Sequence, residues 1–477
     1  MNKRILGAAI AIIATIGSEA QSVKMLITTD TRGKDLEQTE TEYTTVRQDL
    51  PLLTVNAEKT YQEIDGFGAA ITGSTAYNLM RMPEEKRHEF LRQTFSPTSG
   101  YGMSYVRVAI GCSDFSLDEY SCCDTPGIEN FSLTKEELMY VIPILQEIVE
   151  INSDIKIMGS PWTPPKWMKV NNLKDLKPHD KWTSGQINPK YYDDYAEYFV
   201  RWIKAFSDAG LKIYAITMQN EPLNQGNSAS CFMGWEEQRD FIKGSLGPAL
   251  KKSGTDVKVY AFDHNYNYDN MKDQKAYPVK IYADAEASGY LSGAAYHNYG
   301  GSKDELSYIH EMNPEKELVF TETSIGTWND GRNLEKRLID DMNEVVIGTV
   351  SRWCRGAIAW NLMLDNERGP NRPGGCQTCY GAVDLSEDMT EVNRNSHYYI
   401  MAHASMAVSP GGWRADITGI DDIDGLAAVA FVNNDSSKGL IFSNSTSTDI
   451  SVNVSDDSRV FVCTIPARGI VSCRWSK

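Results

Sequence analysis

The chain has 477 residues, which is long enough for one large domain with an appended smaller one, or for two to three domains. Its residues are 41% hydrophobic, 10% aromatic and 23% charged, a composition that is typical of folded globular proteins and excludes disordered and collagen-like chains. The formal net charge of -17 disfavours nucleic acid or an anionic membrane surface as the main partner, and leaves neutral or cationic ligands.

The first residues have the pattern of a secretory signal peptide. Lys3 and Arg4 precede the apolar run 5–16, and small residues follow at the -3 and -1 positions of a cleavage site before Gln21. The run is too short to span a bilayer, and no lipobox cysteine lies near the cut. We therefore expect residues 1–20 to be removed and the mature protein to be exported to the periplasm, the cell surface or the medium.

The next elements are short apolar runs that alternate with longer amphipathic segments, without an internal repeat of the kind that builds solenoids. Each run has the length and apolar character of a buried strand. The eight predicted strands are 63–67, 103–108, 155–158, 213–217, 257–261, 293–296, 318–321 and 357–360.

Helices are predicted between these strands. A capping box at 134–137 precedes an apolar stripe at helical spacing, and a second stripe, 195–206, ends before Gly210. Further helices are expected at 83–95, 235–252 and 333–353. Eight strands alternating with helices predict an α/β fold, a (β/α)8 TIM barrel over residues 61–395. An open doubly wound sheet is disfavoured, since the glycine fingerprint of dinucleotide folds is missing.

The pattern changes near the C-terminus to short alternating runs separated by Asn, Asp, Ser and Gly. This pattern predicts antiparallel strands, so residues 396–477 are expected to form an attached β-sandwich domain. The N-terminal segment 21–60 is expected to contribute a strand around 51–55 to the same sandwich. The two ends of the mature chain would then meet in one accessory domain.

Nine cysteines are scattered along the chain, an odd number that leaves at least one thiol unpaired within it. The adjacent residues Cys122 and Cys123 have no histidine nearby, and the Cys-x-x-Cys motif occurs once, so a zinc site is not expected. The closest plausible disulfide pairs are Cys376 with Cys379 and Cys463 with Cys473.

Polar side chains come directly after the predicted strands, at the ends where barrel enzymes hold their working residues. Glu221 comes after strand four and Glu322 after strand seven, so both would project into one central cavity. Glycoside hydrolysis requires such a pair, one carboxylic acid to protonate the leaving oxygen and one carboxylate to attack or to activate water. The further candidates at strand ends are Arg107, Asp114, Trp162, Asn220, His297, Tyr299 and Trp360.

Each candidate also has a structural interpretation when it is taken alone. The Asn-Glu-Pro triplet can be a turn, and Glu322 can stabilise a helix N-terminus. Asp114 can be an N-cap, His297 an interior histidine with satisfied hydrogen bonds, and the two tryptophans core aromatics. The joint placement at strand ends favours the functional interpretation.

The motifs around these residues resemble glycoside hydrolase family 30, which includes lysosomal glucosylceramidases and microbial β-1,6-glucanases. The resemblance covers roughly residues 61–475. It rests on EIDGFGAAITGSTA from Glu63, MSYVRVAIGCSDFS from Met103, IKIMGSPWTPPKWMK from Ile155, YAITMQNEP from Tyr214, VYAFDHN from Val259, YHNY from Tyr296, FTETS from Phe320 and WNLMLDNERGPN from Trp360.

The resemblance implies a retaining mechanism without a metal or cofactor, in which Glu221 matches the acid/base and Glu322 the nucleophile. Glu221 is expected to stay protonated beside charged Glu322, and Arg107 to keep Glu322 ionised. Arg107 matches an arginine beneath the pair, and Asn220 would bond the sugar 2-hydroxyl. The positions matching the subsite of the attacked sugar are Asp114, Trp162, Asn220, His297, Tyr299 and Trp360.

The sequence differs from the family pattern between residues 366 and 380, where it inserts ERGPNRPGGCQTC, and its loops are polar. We therefore predict a carbohydrate partner and an endo-acting β-1,6-glucanase. The alternatives are an exo-acting β-glucosidase or glucosylceramidase, a β-xylosidase or xylanase of the same family, and a catalytically silent glycan-binding barrel. The sequence leaves the oligomeric state open.

Overall fold

A computed structural model of the chain describes residues 22–266, 271–372, 374–456 and 459–476. The signal peptide predicted at residues 1–20 lies outside these ranges. Within them, no helix has both the length and the apolar character needed to cross a membrane.

Eight parallel strands form the predicted barrel. Each strand pairs with its neighbours along the barrel, and hydrogen bonds from Ser104 N to Phe67 O and from Ile71 N to Arg107 O, both 2.9 Å long, join the first strand to the second. The barrel strands, numbered one to eight in chain order, are Gly66–Ala69, Tyr105–Ala109, Lys156–Ser160, Ile213–Thr217, Lys258–Asn265, Gly293–His297, Glu317–Glu322 and Cys354–Ala359.

The first of these strands begins later than predicted. Residues 63–67 were expected, but Glu63 ends the long strand Leu52–Glu63 of the accessory domain, and barrel strand one starts at Gly66. The two strands are separated only by Ile64 and Asp65, which are both completely buried. The alternation pattern alone does not show where the chain passes from one sheet to the other.

Helices cover the outside of the barrel. The predicted helices 134–149, 235–252 and 333–353 each contain one π-helical turn, and the Thr134 amide donates to the Glu137 carboxylate over 2.9 Å, as the capping box requires. The α-helices are Gly73–Arg81, Glu84–Phe95, Ile142–Ile151, Tyr192–Asp208, Trp235–Phe241, Gly247–Ser253, Tyr277–Tyr282, Ala285–Tyr290, Asp304–Met312, Leu334–Asp341, Ile347–Val350 and Ser396–Ala407.

The β-sandwich is built from both ends of the chain. Strand Ser22–Thr29 pairs antiparallel with Gly469–Trp475, and Leu52–Glu63 pairs with Trp413–Thr418. The remaining strands of the domain are Glu37–Glu42, Leu426–Val432, Lys438–Asn444, Ile450–Asp456 and Arg459–Ile465.

Helix Ser396–Ala407 joins the two domains. It packs on barrel strand one and on the sandwich strands Lys438–Asn444 and Gly469–Trp475. Its His403 is completely buried, with Nδ1 2.9 Å from the Ser472 hydroxyl and Nε2 2.9 Å from the Thr28 hydroxyl. The three side chains link the helix to both ends of the chain.

Of the two predicted disulfides, Cys376–Cys379 is formed. Cys463 and Cys473 are free thiols whose sulfurs lie 3.9 Å apart in the sandwich core. The formed disulfide lies in the loop after barrel strand eight, where the short strand Cys379–Tyr380 pairs with Ile325–Gly326 from the loop after strand seven.

Candidate active site

The inside of the barrel has two layers, which follow from the two-residue period of its strands. The lower layer is the apolar cluster Tyr105, Met158, Ala215, Tyr260, Ala295, Val319 and Ile358. For every cluster residue except Tyr260, the residue two positions later is polar or an indole. These residues are Arg107, Ser160, Thr217, His297, Thr321 and Trp360. The strands therefore deliver polar and aromatic side chains to the carboxyl end of the barrel, directly above the apolar plug.

Strand five contributes Asp263 to the polar layer through an irregularity. Its register shifts between Phe262 and His264, and both Phe262 and Asp263 have positive φ angles, of 71° and 65°. The buried Asp263 carboxylate accepts hydrogen bonds from Ser160 (2.7 Å), Thr217 (2.6 Å), Thr321 (2.7 Å), Arg107 (2.8 Å) and His297 (3.1 Å). Burial raises its pKa, but Arg107 and His297 outweigh burial and hold the pKa far below the usual value.

Arg107 lies beneath the two predicted catalytic carboxyls and is completely buried. One terminal nitrogen donates to Glu322 Oε2 over 2.6 Å, and the other donates to Asn220 Oδ1 over 2.7 Å and to Asp263. The guanidinium thus orients an amide and a carboxylate from different strands. Arg107 therefore positions these two groups from beneath the site.

Glu322 ends strand seven and is held at both carboxylate oxygens. Oε2 accepts from Arg107, and Oε1 accepts from the Tyr299 hydroxyl over 2.9 Å. The same Oε1 lies 4.0 Å from His297 Nδ1. Burial raises the pKa of Glu322 above its usual value, and the charges of His297 and Arg107 oppose this rise.

Glu221 lies just after strand four, and its backbone has a φ of 45°. Its Oε2 accepts from the side-chain amides of Asn224 and Asn227, over 2.7 and 3.2 Å. Its Oε1 lies 3.4 Å from His297 Nδ1 and 3.9 Å from His264 Nδ1. One imidazole nitrogen therefore lies close to both candidate carboxyls, so the barrel has brought Glu221 and Glu322 together.

The expected charge state of Glu221 is not the one that its surroundings favour. Burial raises its pKa, but the hydrogen bond from His297, the charge of His264 and the Asn224 amide outweigh burial and lower the pKa to about 2. Burial lowers the pKa of His297, but Glu322, Asp263 and Glu221 outweigh this and raise it to about 9. The proton that was expected on Glu221 is therefore carried by the neighbouring imidazole.

Asn220 and the two indoles form the wall beside the carboxyls. The Asn220 side-chain nitrogen is buried and has no hydrogen-bond partner among the described residues, so it is available as a donor. Trp162 and Trp360 are stacked with ring centroids 4.8 Å apart, and the Arg107 guanidinium lies 4.9 Å from the Trp162 ring. Both indoles are almost fully buried, so they support the wall and offer no broad open face.

Asp114 lies in the loop after strand two and is the most isolated of the predicted residues. Its Oδ1 is buried without a hydrogen-bond partner in the described part of the chain. Burial and the charge of Glu322 raise its pKa to about 7, and Arg372 opposes the rise. The charge of Arg372, a residue of the inserted loop, therefore acts on Asp114 from the loop after strand eight.

Sequence reasoning missed four polar residues of this site: Asp263, His264, Asn224 and Asn227. The signal for Asp263 and His264 was present in the VYAFDHN motif. It was passed over because strand five was predicted to end at 261, whereas the strand continues to Asn265. Asn224 and Asn227 lie in the loop after Glu221. A loop has no periodic pattern, so the sequence does not indicate which side-chain amides donate to the Glu221 carboxylate.

One group in the site has the arrangement of a metal-binding cluster. Glu221, His264 and His297 can each offer one ligand atom, and these atoms lie within 4.8 Å of one another. A metal bound at this cluster would have to displace a proton from His297, whose Nδ1 lies 3.4 Å from Glu221 Oε1. The absence of a metal cofactor stays a prediction.

The two domains match two family profiles. The glycosyl hydrolase family 30 TIM-barrel domain matches residues 64–408, and the glycosyl hydrolase family 30 beta sandwich domain matches residues 413–473. Together these matches include the whole barrel and the C-terminal strands of the sandwich, and they leave out the N-terminal strands before residue 64.

The chain is similar along most of its length to proteins of two named activities. It is 30% identical to the lysosomal acid glucosylceramidase of Mus musculus over 89% of this chain and 84% of the relative. It is 31% identical to the endo-1,6-beta-D-glucanase of Neurospora crassa over 82% of this chain and 81% of the relative.

Solved structures extend the likeness to the whole fold. An endo-beta1,6-glucanase is 56% identical with a TM-score of 0.93, covering 96% of this chain and 99% of its own. SrfJ from Salmonella typhimurium is 25% identical with a TM-score of 0.85, covering 96% of this chain and 100% of its own. From the profile matches and these similarities, the chain belongs to glycosyl hydrolase family 30.

Proposed function

We propose that this protein is a retaining endo-acting β-1,6-glucanase. The observation that carries the proposal is the 56% identity, over 96% of the chain, to a solved endo-beta1,6-glucanase. The polar residues at the carboxyl end of the barrel support it, because they surround a pair of carboxyl groups with hydrogen-bond donors and acceptors suited to sugar hydroxyls.

Glu322 is the nucleophile in this proposal. Its carboxylate attacks the anomeric carbon and forms a glycosyl ester, while the glycosidic carbon–oxygen bond breaks and its electron pair goes to the departing oxygen. Hydrogen bonds from Arg107 and Tyr299 fix both oxygens of Glu322 before the attack. Arg107 also favours the ionised form that the attack requires.

Glu221 is the acid/base. It gives its proton to the departing oxygen, and in the second step it takes a proton from the water that cleaves the ester. Before the reaction the proton is carried by His297, whose Nδ1 lies 3.4 Å from Glu221 Oε1. When a sugar excludes water, the uncharged pair of carboxylic acid and neutral imidazole is favoured over the ion pair, which moves the proton to Glu221.

Asn220 is the donor to the sugar 2-hydroxyl. Arg107 holds its side-chain oxygen at 2.7 Å, which leaves the unpartnered nitrogen to donate. A hydrogen bond to this hydroxyl strengthens as the ring approaches the oxocarbenium-like transition state, so it lowers the barrier more than it tightens ground-state binding.

The second candidate function is that of an exo-acting glucosidase or glucosylceramidase. It is favoured by the 30% identity to the lysosomal acid glucosylceramidase of Mus musculus. The polar character of the loop 171–184 argues against it, because a ceramide group needs an apolar surface.

The test is a time course of products from purified mature protein and linear β-1,6-glucan, with a glucosylceramide in a parallel reaction. A ladder of gluco-oligosaccharides before free glucose is expected. Glucose alone from the first time point, or hydrolysis of the glycolipid with an intact polymer, contradicts the endo-glucanase proposal.

Export and the domain boundaries are also part of the proposal. Export is inferred from the sequence pattern of residues 1–20, and a glucan outside the cell is the substrate that an exported glucanase meets. The domain plan, with a catalytic barrel at 61–395 and a sandwich formed by 21–60 and 396–477, is retained as part of it. N-terminal sequencing of the secreted protein tests the cut before Gln21.

A further inference from the structure

The loop after barrel strand eight, residues 366–372 and 374–380, covers one side of the active site and is tied to the rest of the barrel mouth. The carbonyl oxygen of Gly369 accepts from the Asn78 side chain over 2.9 Å. The carbonyl oxygen of Pro370 accepts from the Ser74 hydroxyl. These contacts join the loop to the helix after strand one, so its position is fixed.

Arg372 is the residue of this loop that reaches deepest. Its side chain is 2% exposed. Nε donates to the Ser113 carbonyl over 2.8 Å, and one terminal nitrogen donates to the Glu119 carboxylate over 2.7 Å. The other terminal nitrogen, Nη2, is buried and has no hydrogen-bond partner among the described residues.

The same loop also approaches the backbone of the next residue, Asp114. A Cβ atom built on Gly375 would lie 2.3 Å from the Asp114 carbonyl oxygen, so only glycine allows this approach. The Gly375 amide in turn donates to the Arg372 carbonyl over 2.9 Å. The loop therefore contacts the backbone of Ser113 through Arg372 and the backbone of Asp114 through Gly375.

A buried guanidinium is costly unless negative charge compensates it. Glu119 compensates only in part, because its side chain is 41% exposed and water screens it. Asp114 is the buried carboxyl on which the charge of Arg372 acts, and each of the two side chains has a buried polar atom without a partner among the described residues. The two side chains therefore interact through charge, because neither of these atoms has the other as a hydrogen-bond partner.

On the basis of these contacts, and resting on the proposed function, we propose that Arg372, bound to the carbonyl of Ser113, is a positioning residue that supports Asp114 as a hydrogen-bond acceptor for a hydroxyl of the bound glucosyl unit. The loop then contributes to sugar recognition through Asp114 and does not touch the sugar through Arg372.

The charges that act on Asp114 give the proposal a pH signature. Burial, Glu322 and Glu221 raise its pKa, and Arg372 is the cation that lowers it. Removing the Arg372 charge raises this pKa further. A protonated Asp114 accepts fewer hydrogen bonds, so KM should be raised at low pH. In a variant without the Arg372 charge, this rise in KM should persist to a higher pH than in the wild type.

The experiment compares Arg372→Gln with Arg368→Gln in the full mature protein. Arg368 belongs to the same loop, and its Nε donates within the loop, to the Gln377 carbonyl. On a β-1,6-gluco-oligosaccharide and on an aryl β-glucoside, Arg372→Gln should raise KM roughly tenfold with a smaller change in kcat, the loss of one charge-assisted contact. Arg368→Gln should stay within about twofold, the size of a surface change.

Two further variants make the result decisive. In an Asp114→Asn background, Arg372→Gln should add little further increase in KM and no pH shift, because the carboxyl on which the Arg372 charge acts is already gone. Glu119→Gln removes a half-exposed partner of Arg372 and should raise KM by less than Arg372→Gln does. This variant tests the proposal even if Arg372→Gln does not fold.

Equal KM values for Arg372→Gln and Arg368→Gln, an undiminished effect in the Asp114→Asn background, or an unchanged KM in Glu119→Gln would each overturn the proposal. Failure of the proposed function has a different appearance. Wild-type protein would then leave β-1,6-glucan intact, while the Arg372 effect would persist on the aryl glucoside.

Discussion

Asp263→Asn should damage both the stability of the barrel and the supply of protons to Glu221. The change removes one buried negative charge and keeps the size of the side chain. Asparagine is among the few residues that tolerate a positive φ, so the 65° angle at this position adds no new backbone strain. The effect therefore reports on the charge.

The expected magnitude follows from the partners of Asp263. Removing one member of a buried ion pair costs about 3–5 kcal/mol, and Asp263 is the buried partner of Arg107. The raised pKa of His297, about 9, corresponds to stabilisation of roughly 3 kcal/mol. Because the folded pKa is the higher one, this stabilisation is complete below the unfolded value and is lost as the pH rises through 9.

The assay combines denaturant unfolding at several pH values with the pH profile of kcat/KM on an aryl β-glucoside. Asp263→Asn should lower the free energy of unfolding by about 3–5 kcal/mol. It should also move the alkaline limb of activity down by about one to two pH units, because His297 loses a carboxylate 3.1 Å away. Ser160→Ala, which removes one neutral donor to Asp263, should cost only about 1 kcal/mol and leave the limb in place. A variant with wild-type stability and an unmoved limb would refute the reasoning.

Glu322→Gln should abolish hydrolysis of every substrate, since an amide forms no glycosyl ester; wild-type turnover in this variant would remove Glu322 from the mechanism. Glu221→Ala should regain turnover with azide on substrates with good leaving groups only, and equal losses on all leaving groups would contradict the acid role. Asn220→Ala should lower kcat by roughly ten- to a hundredfold, and a change confined to KM would contradict a contact that strengthens in the transition state. Burial lowers the pKa of His403 to about 3, so the protein should lose roughly 4–5 kcal/mol as the pH falls from about 6.5 to 3; His403→Gln should flatten this loss in urea titrations.

The barrel was predictable because its strands repeat one simple pattern. Tyr105 and Arg107 on strand two, or Ala295 and His297 on strand six, place an apolar residue in the plug and a polar one above it, two positions later. The polar residues at the end of each apolar run therefore include most of the site. Strand five is the exception, because its bulge places the polar residue Asp263 three positions after Tyr260 instead of two. The two-residue spacing therefore did not predict Asp263.

The charge state of Glu221 was not predictable from the motif. The motif supplies the neighbour Asn220 and implies the opposing Glu322, and two neighbouring carboxyls predict a raised pKa. The hydrogen bond from His297, the charge of His264 and the Asn224 amide reverse the direction. Of these three residues only His297 was a sequence candidate, because Asn224 comes from a loop and His264 from the bulged strand. A prediction of pKa needs every charge and donor within a few ångströms, and sequence spacing supplies only those on the same strand end.

The same limit applies to the loop contact that we propose to support sugar recognition. Barrel strands place their side chains by a fixed geometry, whereas Arg372 reaches Ser113 and Asp114 only because Gly375 lets its loop lie against the loop after strand two. Such a contact joins residues more than two hundred positions apart, and no local pattern selects it. In the proposed mechanism Glu322 ends strand seven and Glu221 lies just after strand four, whereas Asp114 and Arg372 lie in loops. Changes in the loop after strand eight should therefore alter which glucoside is bound while Glu221 and Glu322 continue to perform the same chemistry.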